Sequence, residues 1–304
     1  MHFNLITILG PTATGKTKLA VYLANHFNGE IISADSRQVY KFMDIGTGKD
    51  LSDYTIEKKK IKYHLIDIAE PKEEYNLYRF LNDFNSACRK IHSKKKLPFL
   101  VGGSGLYISA VIQNYNLPKA NFNKKRIEEL KELSVNELRL KLKDLKPSLH
   151  NTTDLINKER IITAILIEES ADDNKKNATE EINSLNIGIL PERDEIKRRI
   201  KVRLQERLKS GMIEEVENLL QMGITHDKLR FFGLEYKFIS QYLRSELNYN
   251  DMFQKLNSAI NNFAKRQITW FRKMEKEGVK IHWFDGSDYE IIKNLIEESL
   301  RVDE

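Results

Sequence analysis

The chain has 304 residues, 40% hydrophobic and 31% charged, with a net charge of +6. That length suits one large or two modest domains with a real core, and the positive balance favours an anionic partner. A single cysteine, Cys88, excludes an internal disulfide and a multi-cysteine zinc site, and the seven histidines fall at no metal-ligand spacing such as His-Glu-x-x-His. No apolar run approaches membrane-spanning length and no signal-peptide core opens the chain, so no membrane association and a cytoplasmic location are expected.

The apolar run Asn4–Leu9 suits a buried strand, and Lys18–Ala24 suits a helix start. Between them Gly10-Pro11-Thr12-Ala13-Thr14-Gly15-Lys16-Thr17 is a P-loop in its required context. The glycines let successive amides face one anion, and the helix start adds partial positive charge. Lys16 is expected at the outer phosphate, and Thr17 is the candidate ligand of a phosphate-bridging Mg²⁺. The motif indicates phosphate or diphosphate and does not by itself indicate ATP.

Ile31–Ser33 is a short strand, followed by Asp35-Ser36-Arg37-Gln38-Val39-Tyr40. In a parallel sheet the start of this segment lies beside the P-loop, so Asp35 is a candidate base or metal ligand; a turn-forming Asp is the plainer alternative. Tyr63–Ile68 reads as another strand, Asn76–Lys94 as a helix with Cys88 on its apolar side, and Leu97–Val101 as a strand closed by Gly102-Gly103-Ser104-Gly105. The acidic Mg²⁺ ligand usual after a P-loop NTPase strand is missing there, and only Asp67 stands as a substitute. Gly102-Gly103 suggests close backbone approach to a ligand, with the Ser104 hydroxyl beside it, or else a tight strand-to-helix turn.

From about Pro118 the chain becomes rich in Lys and Asn, with helical spacing and no convincing strand. Ser134–Glu137 reads as a capping box, Asp154–Glu169 as a helix, and Ala171–Thr179 as a polar loop. Strand character returns at Ile187–Leu190. A basic helix follows through Lys209, stopped by Gly211, then helices over Met212–Gln221 and Asp251–Met274, a last strand at Ile281–Phe284 and a last helix at Tyr289–Leu300. Arg230, between Leu229 and Phe231-Phe232, is read as a buried cation that pairs with phosphate or with a structural anion. Lys265–Arg272 places cations and aromatics on one helix, which suits a nucleic-acid backbone or a solvated face with an apolar underside.

Strands alternating with helices predict an α/β fold, a P-loop NTPase-like parallel sheet flanked by helices, with a mostly helical inserted subdomain. Residues 1–118 and 186–304 form the expected catalytic core and 119–185 the insertion.

These segments together resemble one family. The P-loop, Asp35–Tyr40, Met43-Asp44-Ile45-Gly46-Thr47-Gly48-Lys49, His64–Ile68, Gly102–Tyr107 and Ala264–Phe271 occur in the order found in bacterial tRNA dimethylallyltransferases, also called tRNA isopentenyltransferases. The resemblance covers about the first and the last 115 residues. It implies transfer of a dimethylallyl group from dimethylallyl diphosphate, with Mg²⁺, to N6 of the adenosine 3′ of the anticodon in tRNAs reading codons that begin with U. Asp35 then matches the general base, Ser104 stands where Thr is usual, and Arg230 matches a diphosphate-binding Arg. Residues Asp35, Ser36, Arg37 and Gln38, with Ser104, match tRNA contacts. Glu159, Arg160, Ile161, Ile162 and Thr163 match a second tRNA segment on the insertion, which would clamp the anticodon stem-loop, and Lys265, Arg266 and Gln267 are a third. Two departures stand out: Gly233-Leu234-Glu235-Tyr236 replaces Gly-Tyr-Arg/Lys-Gln/Glu, and Thr163 replaces a second Arg. Both bear on tRNA affinity in this reading. A monomer is expected. A P-loop kinase using ATP and a non-catalytic RNA-binding protein are the competing readings.

Overall fold

Leu5–Leu9 forms β1, and all five of its residues are buried, as a strand covered on both faces requires. The computed structural model describes residues 3–115, 124–145, 158–169, 181–286 and 288–301. After β1 come α1 (Lys16–His26), β2 (Gly29–Ala34), a 3₁₀ turn (Leu51–Tyr54), the two-stranded ribbon β3 (Thr55–Ile56) and β4 (Lys59–Lys60), β5 (Tyr63–His64), α2 (Leu77–His92), β6 (Leu97–Gly102) and α3 (Gly105–Ile112). Helices α4 (Lys124–Glu132), α5 (Val135–Leu145) and α6 (Lys158–Glu169) follow. The chain then forms β7 (Ser184–Ile189), α7 (Arg193–Lys209), α8 (Met212–Gln221), α9 (His226–Phe232), α10 (Leu234–Leu243), α11 (Tyr249–Lys276), β8 (His282–Phe284) and α12 (Tyr289–Arg301).

The main sheet has the order β5-β2-β6-β1-β7-β8, with every pairing parallel. This is the expected α/β fold with a parallel sheet flanked by helices. Alternation along β1 divides the core. Leu5 and Leu9 join the apolar faces of α2, α3, α7, α8, α10 and α11. Ile6 and Ile8 join α1 and α12 on the other face, with Phe99, Val101, Ile187 and Ile189. Cys88 is buried among the first group, as its place on the apolar side of α2 implied.

The chain divides into two compact units, Met1–Asn114 with Glu181–Glu304, and Tyr115–Glu180. The described residues of the second unit are helical. Their core is Leu130, Leu138, Leu142, Ile161, Ile162, Ile165 and Leu166. The capping box at the start of α5 is formed in both directions: Ser134 N–H donates to Glu137 Oε2 at 2.7 Å, and Glu137 N–H donates to Ser134 Oγ at 3.3 Å. The expected start of α6 near Asp154 and the loop Ala171–Thr179 lie outside the described residues.

The strand expected over Tyr63–Ile68 stops after His64, because Leu65 and Asp67 take left-handed backbone, with φ of 62° and 57°. Gly233, at φ 137°, separates α9 from α10, two helices that the apolar spacing alone did not delimit.

Parallel register sets Leu9 beside Gly102, and Gly102 beside Ala34. The chain leaves β1, β6 and β2 at one level. Gly102 is required there by the protein itself: a Cβ would fall 2.2 Å from the Ala34 carbonyl oxygen. Gly102→Ala should therefore destabilise the protein by about 1–3 kcal/mol, the range for overpacking a closed core site, measured by urea unfolding.

Candidate active site

The P-loop starts where β1 ends. Gly10 passes so near the end of β7 that a Cβ would lie 2.4 Å from the Ile189 carbonyl oxygen. Ala13 and Gly15 both take left-handed backbone, with φ of 63° and 82°. Space is open at Gly15, where an added Cβ would meet nothing within 4 Å. Helix α1 begins there with no capping side chain and no acidic residue in its first turn. Its first amides are left for an anion, and the helix dipole favours one.

Lys16 curls back, donating to the Pro11 carbonyl and approaching Thr14 Oγ1 at 3.3 Å. Burial and the nearby Arg203 guanidinium push its ammonium down to about 7, and the Asp35 carboxylate offsets part of this. Lys16 thus lies within the electrostatic influence of both Arg203 and Asp35. An anion bound there would restore the lysine charge.

Asp35 follows β2, and β6 lies between β2 and β1, so Asp35 faces the P-loop across the Gly102-Gly103 turn rather than from the adjacent strand. Its Oδ1 accepts the Arg37 N–H at 2.8 Å and the Gln38 N–H at 3.4 Å. This is the turn geometry of the plainer alternative, and it leaves Oδ2 available for chemistry. Ser104 joins the two loops, its Oγ accepting the Ser36 N–H at 3.1 Å. Gln38 is spent internally: it accepts from Ser33 Oγ at 2.9 Å and donates to the Gly48 carbonyl at 3.0 Å.

Gln267 corrects the sequence reading. It is 7% exposed, apart from the exposed Lys265 and Arg266 on α11. Its Oε1 accepts the Thr12 N–H at 2.9 Å and its Nε2 donates to the Gly103 carbonyl at 2.8 Å. It ties the P-loop to the turn after β6 and is not on an RNA-facing surface. Nor does Gly103 open onto a ligand, since a Cβ would lie 2.3 Å from Gln267 Nε2. The two aromatics of the Lys265–Arg272 segment also turn inward. Phe271 is buried, and Trp270 donates to Ser109 Oγ at 2.8 Å. Its indole lies where a side chain at Gly105 would be. The cations are outside and the aromatics underneath.

Three other expectations change. Arg230 is exposed on α9, and among the described residues it makes no ion pair, so the argument from burial fails. Its neighbour Phe231, 46% exposed, lies under the Arg37 guanidinium at 4.7 Å, with Lys228 at 5.1 Å. Asp67 is ion-paired with Lys49, whose side chain has no exposed surface and also reaches Asp44 at 2.6 Å. Asp67 is thus engaged away from the P-loop. Ile161 and Ile162 are core residues of the helical unit and are unavailable to RNA, while Thr163 is exposed. The side chains of Glu159 and Arg160 lie outside the described ones.

The cations the sequence reading missed come from α7. Arg203 reaches Thr12 Oγ1 at 3.5 Å, the Gly48 carbonyl at 3.4 Å and Asp50 Oδ2 at 2.6 Å. Arg207 lies one turn on, against Gly48. Their i, i+4 spacing on a helix that follows a strand beside β1 was the available signal. Opposite them, the Gly46 loop is held by Glu215, which accepts from the amides of Asp44 and Ile45 at 2.7 Å and Gly46 at 3.0 Å, and from Tyr236 Oη at 2.7 Å. Burial pushes the Glu235 carboxyl up, and Arg207, Arg203 and Asp35 all act on it. Glu235 and Tyr236, the departures assigned above to tRNA affinity, therefore lie near the Gly46–Gly48 loop and the α7 arginines.

A model of the IPP transferase family matches residues 38–274, and one of isopentenyl transferases matches residues 3–65. A tRNA dimethylallyltransferase of Syntrophotalea carbinolica is 51% identical, over 94% of this chain and 96% of that protein. One of Syntrophus aciditrophicus is 45% identical, over 99% and 100%. The crystal structure of the full-length tRNA isopentenylpyrophosphate transferase of Bacillus halodurans is 33% identical, with a TM-score of 0.71 over 98% of this chain and 97% of that one.

The depressed Lys16 pKa sets a pH dependence for anion binding. Below about pH 7 Lys16 is already charged. Above it, inorganic diphosphate must bind together with a proton, so affinity should fall as pH rises, by at most tenfold per unit. Titration calorimetry in buffers of different ionisation enthalpy should show this uptake between pH 7 and 9. In Lys16→Arg, charged throughout, only the ionisation of the diphosphate should remain.

Proposed function

The chain belongs to the IPP transferase family, and from this premise we propose that it moves the dimethylallyl group of dimethylallyl diphosphate to N6 of an adenosine in tRNA. The carrying observation is the meeting of a bare P-loop with Asp35 and Ser104 at one level of the sheet. The adenosine is the one 3′ of the anticodon in tRNAs reading codons that begin with U, and the enzyme acts as a cytoplasmic monomer. No helix among the described residues is long and apolar enough to cross a membrane.

In this reading the diphosphate lies against the P-loop amides, the α1 start, Lys16 and Arg203. The bond from the allylic carbon to the diphosphate oxygen breaks with its electron pair going to the diphosphate, and negative charge grows where these cations converge. The N6 nitrogen attacks the allylic carbon, and Asp35 Oδ2 accepts the proton that N6 loses. N6 is a weak nucleophile because its lone pair is delocalised into the ring, so a placed base matters. Ser104 holds the Asp35 loop through the Ser36 amide and leaves its own proton free for the base or the ribose. Thr17, half-buried in the first turn of α1 beside open space, fits a Mg²⁺ carried in by the phosphates, which would add charge neutralisation when bound.

Arg37 on Phe231, Lys228, Arg230, Lys265 and Arg266 are proposed RNA contacts on the core, with Arg160 on the helical unit. A base extruded from a single-stranded loop reaches the donor at less energetic cost than one in a duplex. The kinase reading is disfavoured by Asp67: the one acidic substitute for its metal ligand is bound to buried Lys49.

The test is label transfer from radiolabelled dimethylallyl diphosphate to unmodified tRNA, with ATP in parallel. Label in tRNA is expected, and ATP turnover without it would overturn the reading. Asp35→Asn should lower kcat by about 10²–10⁴-fold, the usual contribution of a general base, with little change in tRNA affinity. An unchanged kcat would place the base elsewhere.

A further inference from the structure

Arg203 and Arg207 share one face of α7, and one oxygen serves both: Asp50 Oδ2 is 2.6 Å from Arg203 Nη2 and 3.6 Å from Arg207 Nη2. Arg203 has protein partners at both terminal nitrogens, Nη2 on Asp50 and the Gly48 carbonyl and Nη1 on Thr12. Arg207 is the opposite case. Its side chain is 13% exposed, and its Nε and Nη2 are buried with no hydrogen-bond partner. Unmet donors in such a place are destabilising, more so when charged. The guanidinium is also held in place. It packs so tightly on Gly48 that a Cβ there would fall 1.5 Å from Nη2. Glu235 and Tyr236 of α10 are the other ionisable groups facing it, beside Arg203 and Asp50.

Arg203 is the α7 cation that touches the P-loop. Turning both terminal nitrogens to an anion there takes Nη2 from Asp50, whose half-exposed carboxylate then has Arg207 beside it. Arg207 waits 3.6 Å from that same oxygen, against 2.6 Å for Arg203, with its Nε and Nη2 donors unused. We propose that Asp50 passes from Arg203 to Arg207 when a diphosphate occupies the P-loop, so that Arg207 is a positioning residue that frees Arg203 for the anion. The exchange ends with every charge met: Arg203 on diphosphate, Asp50 on Arg207 in a charge-assisted hydrogen bond. This rests on the reading above that the P-loop holds a diphosphate.

The exchange predicts that the effect of Arg207 depends on Asp50. Binding of inorganic diphosphate is measured by calorimetry on the full chain for wild type, Arg207→Met, Asp50→Asn and the double variant. Arg207→Met should weaken binding about tenfold in the wild-type background. Asp50→Asn should bind at least as tightly as wild type, because Arg203 has nothing charged to release. In that background Arg207→Met should have no effect, a non-additivity of about tenfold. In transfer assays Arg207→Met should raise KM for the donor more than it lowers kcat, with Arg207→Lys partly restoring both. Equal effects of Arg207→Met with and without Asp50 would overturn the exchange, leaving Arg207 a packing residue or a direct ligand. An unchanged affinity in Arg207→Met would overturn it too. If Arg207→Met does not fold, Arg207→Lys completes the same cycle with the same criterion. Lys16→Ala separates the premise: wild-type diphosphate affinity in that variant removes the phosphate reading itself, whereas its loss alongside an additive Asp50–Arg207 cycle removes only the exchange.

Discussion

Three parallel strands end at one level, and the site depends on it. Leu9, Gly102 and Ala34 are lateral neighbours at the carboxyl ends of β1, β6 and β2. The P-loop, the Gly103-Ser104 turn and the Asp35 loop leave from that line together. The middle strand must end without side chains, because Gly102 lies against Ala34 and Gly103 against Gln267. Gln267 then closes the arrangement from α11 by bonding both the Thr12 amide and the Gly103 carbonyl. A single amide on a distant helix thus ties the P-loop to the turn after β6.

The electrostatics follow from crowding like charges at the P-loop. Burial and the neighbouring Arg203 guanidinium both disfavour the Lys16 charge, so the lysine is pushed down to about 7. Such a site gains most from a multiply charged anion, which relieves the repulsion and completes the α1 start at once. Negative groups are set one layer back. Asp50 occupies Arg203, Glu235 lies under the influence of Arg207, and Glu215 holds the loop of Asp44, Ile45 and Gly46 by three amides. That layer shapes the cation cluster without competing for the P-loop amides.

Half-buried Arg37 and Lys228 lie against the exposed Phe231 ring, and exposed cations line the outer face of α11. The helical unit has its own small core, in which Ile161 and Ile162 are structural. The segments that carry family resemblance therefore mix two kinds of residue, those that meet ligands and those that hold them in place.

The P-loop, the parallel sheet, the helix starts and the two-part organisation were legible in sequence, because each is a local rule: a glycine where the backbone must turn left-handed, a period of two or 3.6, a cap before an apolar run. The placement of Asp35 and Ser104 just past strand ends was legible for the same reason. What a side chain meets across the fold was not legible. Arg230, flanked by apolar residues, reads as buried, yet α9 turns it outward while Leu229 and Phe232 go in. Gln267 sits in a run of cations and goes inward, and Asp67 follows a strand but is claimed by Lys49. Arg203 and Arg207 belong to a helix whose charges all look alike in sequence. Only the docking of α7 brings Arg203 to the P-loop, because that contact joins residues nearly two hundred positions apart and no local pattern encodes it.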